Sequence, residues 1–368
     1  MGEKEGHEKS ADYLADQLGI DYITVSAMGR SINPVNDIQA FKQLKKIIKE
    51  FKPDVVHTHA AKPGALGRLA ASVCGVPAII HTYHGHVFHS YFNKLQSGVY
   101  INAERFLARK STALIAISEA QKRELTEDFK IAAPEKFRVI QLGLDLDRFS
   151  DDQPVKREKF RLEFGLRDDE IAIGIIGRLV PVKNHELFLM AISHVLKNST
   201  KKIKAFIIGD GETRHRLEFK AKELGILFTN QNNAAHSHSL IFTSWRSDVD
   251  IINAGLDIVV LASLNEGTPV SLIEAQAANK PIVSTRVGGI GDIVVEGKTA
   301  LLADVSDNDT FCAHLLNIVN DDNLRQKLGS NSCQYVVKRF SYQRLMKDMS
   351  DLYYELLSEK ITANAVLR

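Results

Sequence analysis

The sequence has few cysteines, no long hydrophobic run and almost no net charge. Its three cysteines, Cys74, Cys312 and Cys333, match neither a disulfide framework nor a zinc site. The longest apolar stretches, such as 171–176 and 187–192, are far shorter than the ~20 residues of a membrane-spanning helix. Lys and Arg total 47 against 45 Asp and Glu, whereas nucleic-acid-binding domains are strongly basic. We therefore expect a cytoplasmic protein that neither spans a membrane nor binds nucleic acid.

The remaining composition is that of a globular α/β protein. The 368 residues are 44% hydrophobic and 25% charged, and this length fits two domains of roughly 100–200 residues each. Short apolar runs alternate with segments of helical period, which is typical of parallel sheets covered on both faces. We predict strands at 54–57, 78–81, 113–117, 137–140, 172–176, 203–208, 240–243, 258–261, 281–284 and 300–302. We predict helices at 37–51, 66–73, 95–109, 185–196, 213–224, 270–279 and 307–319.

The segment 141–154 predicts the domain boundary, because it is rich in Asp and Gly and is closed by a proline. We expect one domain at 1–150 and a second at 151–335. Helices at 323–339 and 342–357 then predict that residues 336–368 cross back to the first domain. At the amino terminus a charged segment without signal-peptide character precedes a predicted helix at 11–18 and a strand near 22–25.

A glycine and two cations follow the strand predicted at 172–176. Gly177 permits a tight turn, and Arg178 and Lys183 lie in a loop that leads into a helix. A guanidinium binds an anion through two hydrogen bonds, and an ammonium acts as a point charge. The two cations are a candidate anion site, although two solvated loop cations explain this segment equally well on its own.

A second helix start follows the strand predicted at 258–261. Thr268 suits an N-cap and Pro269 suits the first helical position. The unpaired amides of such a helix start form a cradle for an anion or a hydroxyl. Glu266 precedes the helix and Glu274 lies on its second turn, where carboxylates would accept hydrogen bonds from sugar hydroxyls. The alternative is that Glu266 favours the helix dipole and Glu274 is a surface residue.

Together, GRLVPVKN at 177–184, EGTPVSLIE at 266–274 and VGGIGDI at 287–293 resemble the GT-B glycosyltransferases of family 4. That family is retaining and uses nucleotide sugars. The resemblance covers residues 26–354. It implies two Rossmann-like, doubly wound parallel-sheet domains that face a cleft, with an acceptor-side first domain and a second domain that binds the nucleotide sugar.

The resemblance also implies roles for individual residues. Arg178 and Lys183 would hold the donor diphosphate, Glu266 would bind the transferred sugar, and Glu274 would bind the ribose hydroxyls. The other donor-binding residues that it implies are Gly209, Asp210, Gly211, Arg246, Gly267, Thr268, Pro269 and Val270.

Four histidines lie within nine residues, at 81, 84, 86 and 89. A metal site is one interpretation, but no carboxylate or cysteine accompanies them, and strand geometry directs His81 away from the other three. In the family a histidine after this strand lies beside the anomeric centre; His84 matches it best and His86 is the alternative. The catalytic candidates are therefore His84 and Glu266, and the acceptor-side candidates are His59, Lys62 and His86.

No Asp-x-Asp pair of the sequence stands after a strand in a position to hold a divalent ion, so we expect no metal and no cofactor. The leaving diphosphate would be neutralised by Arg178, Lys183 and helix amides. A retaining reaction ordinarily uses a nucleophilic carboxylate, but the resemblance places Glu266 at the sugar hydroxyls. The family is generally thought to react on one face through an oxocarbenium-like ion pair, in which the departing phosphate oxygen accepts the proton of the acceptor.

The implied activity is transfer of a hexose or N-acetylhexosamine from a UDP-sugar to a lipid-linked or oligosaccharide acceptor in surface polysaccharide biosynthesis. An inactive nucleotide-sugar-binding pseudoenzyme or partner subunit is one alternative, and a nucleotide-sugar 2-epimerase-like isomerase is another. The family's first domain normally begins with a β-α-β element that residues 3–18 do not match. We therefore expect a shortened first domain with an exposed sheet edge.

Any membrane contact is expected to be peripheral, on the inner face of the cytoplasmic membrane. The helical stretch 95–109 is the candidate surface, because Lys94, Arg105, Arg109 and Lys110 lie in or beside it. The alternative is an amphipathic helix packed on its own sheet.

Overall fold

The structure is a computed structural model that describes residues 15, 18–29, 31–84, 94–230, 238–330 and 332–366. It contains two compact units. One consists of Met1–Gln141 with Met346–Arg368, and the other is Leu142–Leu345. Residues 1–10, most of the helix predicted at 11–18, and His86 and His89 lie outside the described residues.

The first unit contains a parallel sheet of four described strands in the order β1-β2-β3-β4. The strands are β1 (Val55–His59), β2 (Ala78–Tyr83), β3 (Ala113–Ala116) and β4 (Phe137–Val139). The helices are α1 (Pro34–Phe51), α2 (Ala61–Val73), α3 (Lys94–Lys110) and α4 (Glu119–Arg123), and α4 continues into a π-helical turn at Glu124–Asp128. Helix α1 begins where Asn33 caps it, because the Asn33 side chain accepts hydrogen bonds from the amides of Val35 and Asn36.

The strand predicted near 22–25 is reduced to a single β-bridge residue, Val25, and residues 20–24 form no strand. Val25, Ala27 and Met28 instead pack in a small cluster with Ala40 of α1. Among the described strands, β1 lies at one end of the sheet order.

A buried ion pair joins the helices of the first unit to its sheet. The Arg68 side chain is fully buried, and its Nη2 lies 3.0 and 2.9 Å from the two carboxylate oxygens of Glu104. The Tyr83 hydroxyl donates to the same carboxylate over 2.8 Å, and Arg68 Nε donates to the Gly64 carbonyl oxygen. Because these residues lie on α2, α3 and β2, the network fixes both helices against the strand that precedes His84.

The second unit contains a seven-stranded parallel sheet in the order β11-β10-β9-β5-β6-β8-β7. Its strands are β5 (Glu170–Ile176), β6 (Lys202–Ile208), β7 (Phe228–Thr229), β8 (Leu240–Ser244), β9 (Ile258–Leu261), β10 (Ile282–Thr285) and β11 (Ala300–Ala303). Its helices are α5 (Asp147–Ser150), α6 (Gln153–Glu163), α7 (His185–Asn198), α8 (Arg214–Glu223), α9 (Val249–Gly255), α10 (Val270–Ala277), α11 (Ile290–Ile293), α12 (Asn308–Asn320), α13 (Asp322–Gly329) and α14 (Ser332–Phe340). Helix α15 (Tyr342–Val366) begins in the second unit and continues in the first.

The seven-stranded sheet is buried on both faces. Ile171, Ile173 and Ile175 of β5 pack in one core cluster, and Ala172 of the same strand packs in the other. Alternate side chains of a strand point to opposite faces, so both faces of the sheet must be covered by helices. This explains why the central strands are almost entirely apolar, and it confirms the α/β class with two parallel sheets.

The unit boundary differs from the predicted domain boundary. Residues 142–150 belong to the second unit rather than the first, because Leu146 and Phe149 pack in its core with Phe160 of α6. Val336 and Phe340 of α14 also lie in that core, so the chain returns to the first unit at 346 and not at 336. The single helix predicted at 323–339 is two helices, α13 and α14.

None of the helices in the described part of the chain is both long and apolar enough to span a membrane.

Candidate functional site

Two loops lie side by side at one edge of the seven-stranded sheet, because β5 is a central strand. The chain leaves β5 for β6 on one side, and β9 occupies the other side, so β5 lies at the topological switch point where open α/β sheets bind ligands. The loops 177–184 and 262–269 follow β5 and β9. The amide of Leu264 donates to the carbonyl of Val182 over 2.8 Å and joins them.

Lys183 and Glu266, which lie in these two loops, form an ion pair. Lys183 Nζ lies 2.5 Å from Glu266 Oε1, and the Ser263 hydroxyl donates to the same oxygen over 2.6 Å. Ser263 is buried, and its own carbonyl accepts a hydrogen bond from Thr285 Oγ1. The carboxylate is thus held in place, and its charge is largely compensated before any ligand arrives.

Arg178 is the uncommitted cation of this site. Its side chain is exposed, and within the described ranges its guanidinium has no hydrogen-bond or ion-pair partner. Lys183 folds back toward the start of the same loop, since a Cβ built on Gly177 would lie 3.8 Å from Lys183 Cε. The loop therefore presents two cations, of which one is paired with a carboxylate and one is available to an anion.

Helix α10 begins at Val270, as the range 270–279 predicts, but its cap differs from the predicted one. Pro269 occupies the N-cap position instead of Thr268, and the first helical residue is Val270 instead of Pro269. Pro269 has extended backbone geometry and no side-chain cap, so the amides of the first turn keep their capacity to donate. The Thr268 hydroxyl is buried without a partner among the described residues. These donors lie directly after Glu266 and Gly267.

Two of the predicted glycines allow neighbouring loops to touch. A Cβ on Gly209 would overlap the carbonyl oxygen of Gly177, and a Cβ on Gly288 would overlap that of Glu266. Both have positive φ angles, of 139° and 49°, which glycine adopts most easily. These contacts bring residues 209–211 and 287–289 to the loops that carry Arg178 and Glu266. Asp210 Oδ1 accepts the amide of Gly211 over 2.8 Å.

Glu274, on the second turn of α10, is mostly buried, and its carboxylate has no partner among the described residues. Burial raises its pKa from 4.5 to about 7; the nearby Arg148 opposes this rise and Asp250 adds to it. Arg148 and Lys156 each lie 3.1 Å from an oxygen of Asp250. The interpretation of Glu274 as an ordinary surface residue is therefore wrong. It is a desolvated carboxyl that lacks hydrogen-bond donors.

Arg246 is committed to carboxylates. Its guanidinium donates to both oxygens of Glu163 and both oxygens of Asp248, and these bonds hold its pKa above the usual range. These contacts fix the end of β8 against α6 and occupy four of the five N–H donors of the guanidinium. The neighbouring Trp245 is 64% exposed, so it does not serve as core packing.

Histidines gather at the carboxyl ends of β1 and β2 in the first unit. His59 Nδ1 lies 2.9 Å from His84 Nε2. His57 uses both ring nitrogens, toward the Tyr353 hydroxyl and Thr82 Oγ1, each at 2.7 Å. Burial lowers the pKa of all three imidazoles, and for His57 the value falls to about 4. These rings are therefore neutral hydrogen-bonding groups at pH 7.

His81 is separated from this group, as strand geometry predicts. It is buried, and its Nδ1 lies 2.9 Å from Thr58 Oγ1. Among the described residues no three His, Cys, Asp or Glu side chains converge as a metal site. The acceptor-side candidate Lys62 is tied to its own unit, because Nζ lies 2.5 Å from Asp37 Oδ1 and donates to the Ser31 carbonyl.

The sequence did not single out three residues of these sites: Ser263, His57 and Tyr353. Ser263 had a usable signal, since it follows a strand and lies three residues before Glu266. His57 lies inside the apolar strand and was interpreted as strand only. Tyr353 reaches His57 from 296 residues away, a separation that no local pattern reveals.

Two family models match the chain. "Glycosyltransferase Family 4" matches residues 8–148, and "Glycosyl transferases group 1" matches residues 156–334. The two matches follow one another along the chain and cover most of it.

Curated relatives span nearly the same length. The chain is 30% identical over 352 residues to the Escherichia coli UDP-Gal:alpha-D-GlcNAc-diphosphoundecaprenol alpha-1,3-galactosyltransferase, covering 95% of this chain and 87% of that protein. It is 27% identical over 334 residues to the capsular polysaccharide biosynthesis glycosyltransferase CapM of Staphylococcus aureus, covering 88% and 84%.

Solved structures show the same fold. Anabaena HepE in complex with UDP has a TM-score of 0.77 at 18% identity, over 94% of this chain and 89% of that one. The lipopolysaccharide outer core galactosyltransferase WaaB has a TM-score of 0.64 at 17% identity, over 94% and 85%.

Glu274→Gln should stabilise the unliganded protein at pH 8 but not at pH 5. A carboxyl whose folded pKa lies above its unfolded pKa binds more protons when folded, so stability falls as the pH rises from 4.5 to about 7. Glutamine cannot ionise, so the variant avoids this loss of folding stability, which is at most about 3 kcal/mol. Urea unfolding at both pH values measures the free energy of unfolding, and Glu50→Gln, at an exposed residue of α1, is the control. Equal effects of Glu274→Gln at pH 5 and pH 8 would contradict the raised pKa.

Proposed function

The chain belongs to the family 4 glycosyltransferases of GT-B fold and is a transferase, and we propose that it moves a hexose from a UDP-sugar to a lipid-linked glycan with retention of configuration. The single observation that carries the proposal is the Lys183–Glu266 pair beside the unpaired Arg178 at the switch point of the second unit. At this one edge of the sheet, the two cations can bind a diphosphate and the carboxylate of Glu266 can bind a sugar.

The donor diphosphate is bound by Arg178, Lys183 and the amides at the start of α10. Among the described residues Arg178 has no partner to release, so its charge is available to phosphate oxygens. The amide of Thr268, just before the cap, and that of Val270, the first helical residue, add fixed donors that need no reorganisation. These groups stabilise the negative charge that develops on the leaving UDP.

The sugar and the ribose are bound by the two carboxylates. Glu266 has one oxygen occupied by Lys183 and Ser263, which leaves the second oxygen for sugar hydroxyls. Glu274 lacks donors in the unliganded protein, and two ribose hydroxyls would supply them. Binding of the nucleoside would lower the raised pKa of Glu274, because hydrogen bonds to a carboxylate favour its charged form.

The compensated charge of Glu266 also supports the proposed reaction course. A carboxylate that is hydrogen-bonded to an ammonium and a hydroxyl is a poor nucleophile, so a covalent glycosyl-enzyme at Glu266 is disfavoured. We propose instead that the acceptor attacks the face that UDP leaves, through an oxocarbenium-like ion pair. The acceptor proton passes from its hydroxyl oxygen to the departing phosphate oxygen, and His84 donates or accepts a hydrogen bond at the sugar.

The names of the relatives supply the substrate class. The Escherichia coli protein is named for transfer of galactose from UDP-Gal to GlcNAc on diphosphoundecaprenol, and CapM for capsular polysaccharide biosynthesis. We propose that this chain uses UDP-galactose or a similar UDP-hexose and an undecaprenol-linked acceptor in surface polysaccharide assembly. No metal or cofactor takes part in the proposal, since two cations and backbone amides neutralise the diphosphate.

Turnover distinguishes this function from its two alternatives. With UDP-galactose and GlcNAc-diphosphoundecaprenol, we expect UDP release that requires acceptor, persists in EDTA and yields an α-linkage by NMR. Donor binding without turnover would support the pseudoenzyme, and an epimerised sugar without UDP release would support the isomerase. Loss of turnover in EDTA, restored by a divalent cation, would contradict metal independence alone.

Arg178→Ala should weaken UDP binding by about ten- to a hundredfold, because a hydrogen bond between charged groups contributes about 1.5–3 kcal/mol. Isothermal titration calorimetry with UDP measures the change. Arg167→Ala is the matched control, since Arg167 is largely exposed and precedes the opposite, amino-terminal end of β5. An Arg178→Ala protein with wild-type UDP affinity would overturn the diphosphate assignment.

We also propose peripheral contact with an anionic membrane, but through α1 rather than α3. On α3, Leu107 and Ala108 are buried and Arg105 donates to the carbonyls of Phe129 and Lys130, which fits a helix packed on its own sheet. On α1 one face carries exposed apolar and basic side chains at helical spacing. They are Val35, Ile38, Lys42, Lys46 and Lys49.

Replacing Lys42, Lys46 and Lys49 together by Glu should abolish binding to vesicles that contain phosphatidylglycerol. Each lysine contributes about 1 kcal/mol near an anionic surface, and the reversed charge adds repulsion. Vesicle co-sedimentation at low and high salt measures binding, with neutral phosphatidylcholine vesicles for comparison. The control replaces Lys220, Lys222 and Lys327 of the second unit by Glu. Equal binding of the two triple variants would contradict a role for α1.

A further inference from the structure

We infer that His59 and His84 form one coupled imidazole pair, in which His59 is a positioning residue that sets the tautomer His84 presents to its ligand. The inference rests on the proposed function only in taking that ligand to be a sugar hydroxyl. The ring centroids lie 5.1 Å apart, and the ring planes are inclined by 29°. His59 Nδ1 and His84 Nε2 face each other at 2.9 Å, the distance of a normal hydrogen bond.

Two nitrogens at this distance share one hydrogen. If His59 Nδ1 carries it, His84 Nε2 accepts, and a neutral His84 must carry its own hydrogen on Nδ1. If His84 Nε2 carries it, His84 Nδ1 has a lone pair, and His59 carries its hydrogen on Nε2. Neither His84 Nδ1 nor His59 Nε2 has a partner among the described residues. The outer nitrogen of one ring therefore always presents the opposite hydrogen-bonding role to that of the other.

The surroundings keep both rings neutral. Burial lowers the pKa of His59 and of His84, and the mutual repulsion of the two rings lowers that of His59 further. The titratable groups around the pair are His57, Tyr353 and, beneath them, His81 with Arg68. A cationic ring would donate at both nitrogens, so the coupling requires this neutral environment.

The position of His59 is fixed from two sides. Its ring lies 4.4 Å from that of His57, which is itself held by the Tyr353 hydroxyl and Thr82. The next residue, Ala60, has φ 60° and ψ 166°, a conformation that is essentially confined to glycine and costs about 1–3 kcal/mol. Such strain persists only where the surrounding structure enforces it. Here it occurs between His59 and the start of α2.

His84 can therefore hydrogen-bond to a hydroxyl that donates or to one that accepts, and the pair of rings stays neutral in both cases. To change state, a proton leaves His84 Nδ1 for water and the shared proton moves from His59 Nδ1 to His84 Nε2. His59 Nε2 then takes a proton from water. Two nitrogen–hydrogen bonds break and two form, and both rings are neutral before and after. An isolated histidine lacks this coupling, because its tautomer is set by solvent alone.

Nuclear magnetic resonance tests the hydrogen bond between His59 and His84, and this test does not depend on catalytic activity. In protein labelled with ¹⁵N at histidine, we expect scalar coupling across the hydrogen bond between one nitrogen of His59 and one of His84. His59→Phe should abolish this coupling and shift the His84 ring nitrogens. His215→Phe, at a histidine whose side chain is fully solvent-exposed, should change neither signal. Absence of coupling in the wild-type protein would overturn the inference.

Steady-state kinetics test whether His59 affects sugar transfer. His59→Phe should lower kcat by about tenfold or more, as loss of a histidine's orienting partner generally does, with UDP affinity and thermal midpoint unchanged. His59→Asn should retain most of kcat, because its amide can donate or accept at the position of Nδ1. Equal kcat values for His59→Phe and the wild type would overturn the inference and leave the proposed function intact. If the wild type transfers no sugar, the proposed function fails, and the coupling experiment alone decides the pair.

Discussion

The central position of β5 in the seven-stranded sheet is the constraint on which the donor site depends. Its residues are buried on both faces, and its two neighbours, β6 and β9, come from different parts of the chain. The loops after β5 and β9 must therefore emerge side by side, which places Lys183 within 2.5 Å of Glu266 across 83 positions of sequence. Apolar packing around β5 therefore positions the polar side chains of the site, although the packed side chains themselves are not reactive.

The site is not optimised for the stability of the unliganded protein. Arg178 has no carboxylate within the described ranges, Glu274 is desolvated without donors, and the Thr268 hydroxyl is buried without a partner. Each group would be more stable with a partner, and a nucleotide sugar offers hydroxyls and phosphate oxygens for all three. Arg246 and Lys62 show the opposite pattern, because carboxylates of their own unit already hold them.

The sequence predicted the fold well, because continuous apolar strands and amphipathic helices are local patterns. It also placed Arg178, Lys183, Glu266 and Glu274 next to strand ends or a helix start, where the structure has them. It did not predict which residues the polar side chains bind. The commitment of Arg246 to Glu163 and the contact of Tyr353 with His57 depend on packing between distant segments. Of the segment expected as a strand near 22–25, only Val25 is a β-bridge residue, and it also packs against α1.

The two units divide the chemistry between charged and neutral groups. At the strand ends of the second unit, cations and helix amides suit an anionic diphosphate. At the strand ends of the first unit, burial keeps His57, His59 and His84 uncharged. A neutral imidazole can hydrogen-bond a hydroxyl in either direction, whereas a protonated imidazole can only donate. Burial of these histidines therefore preserves the exchange of hydrogen-bonding roles that we propose for His59 and His84, because protonation of either ring would end it.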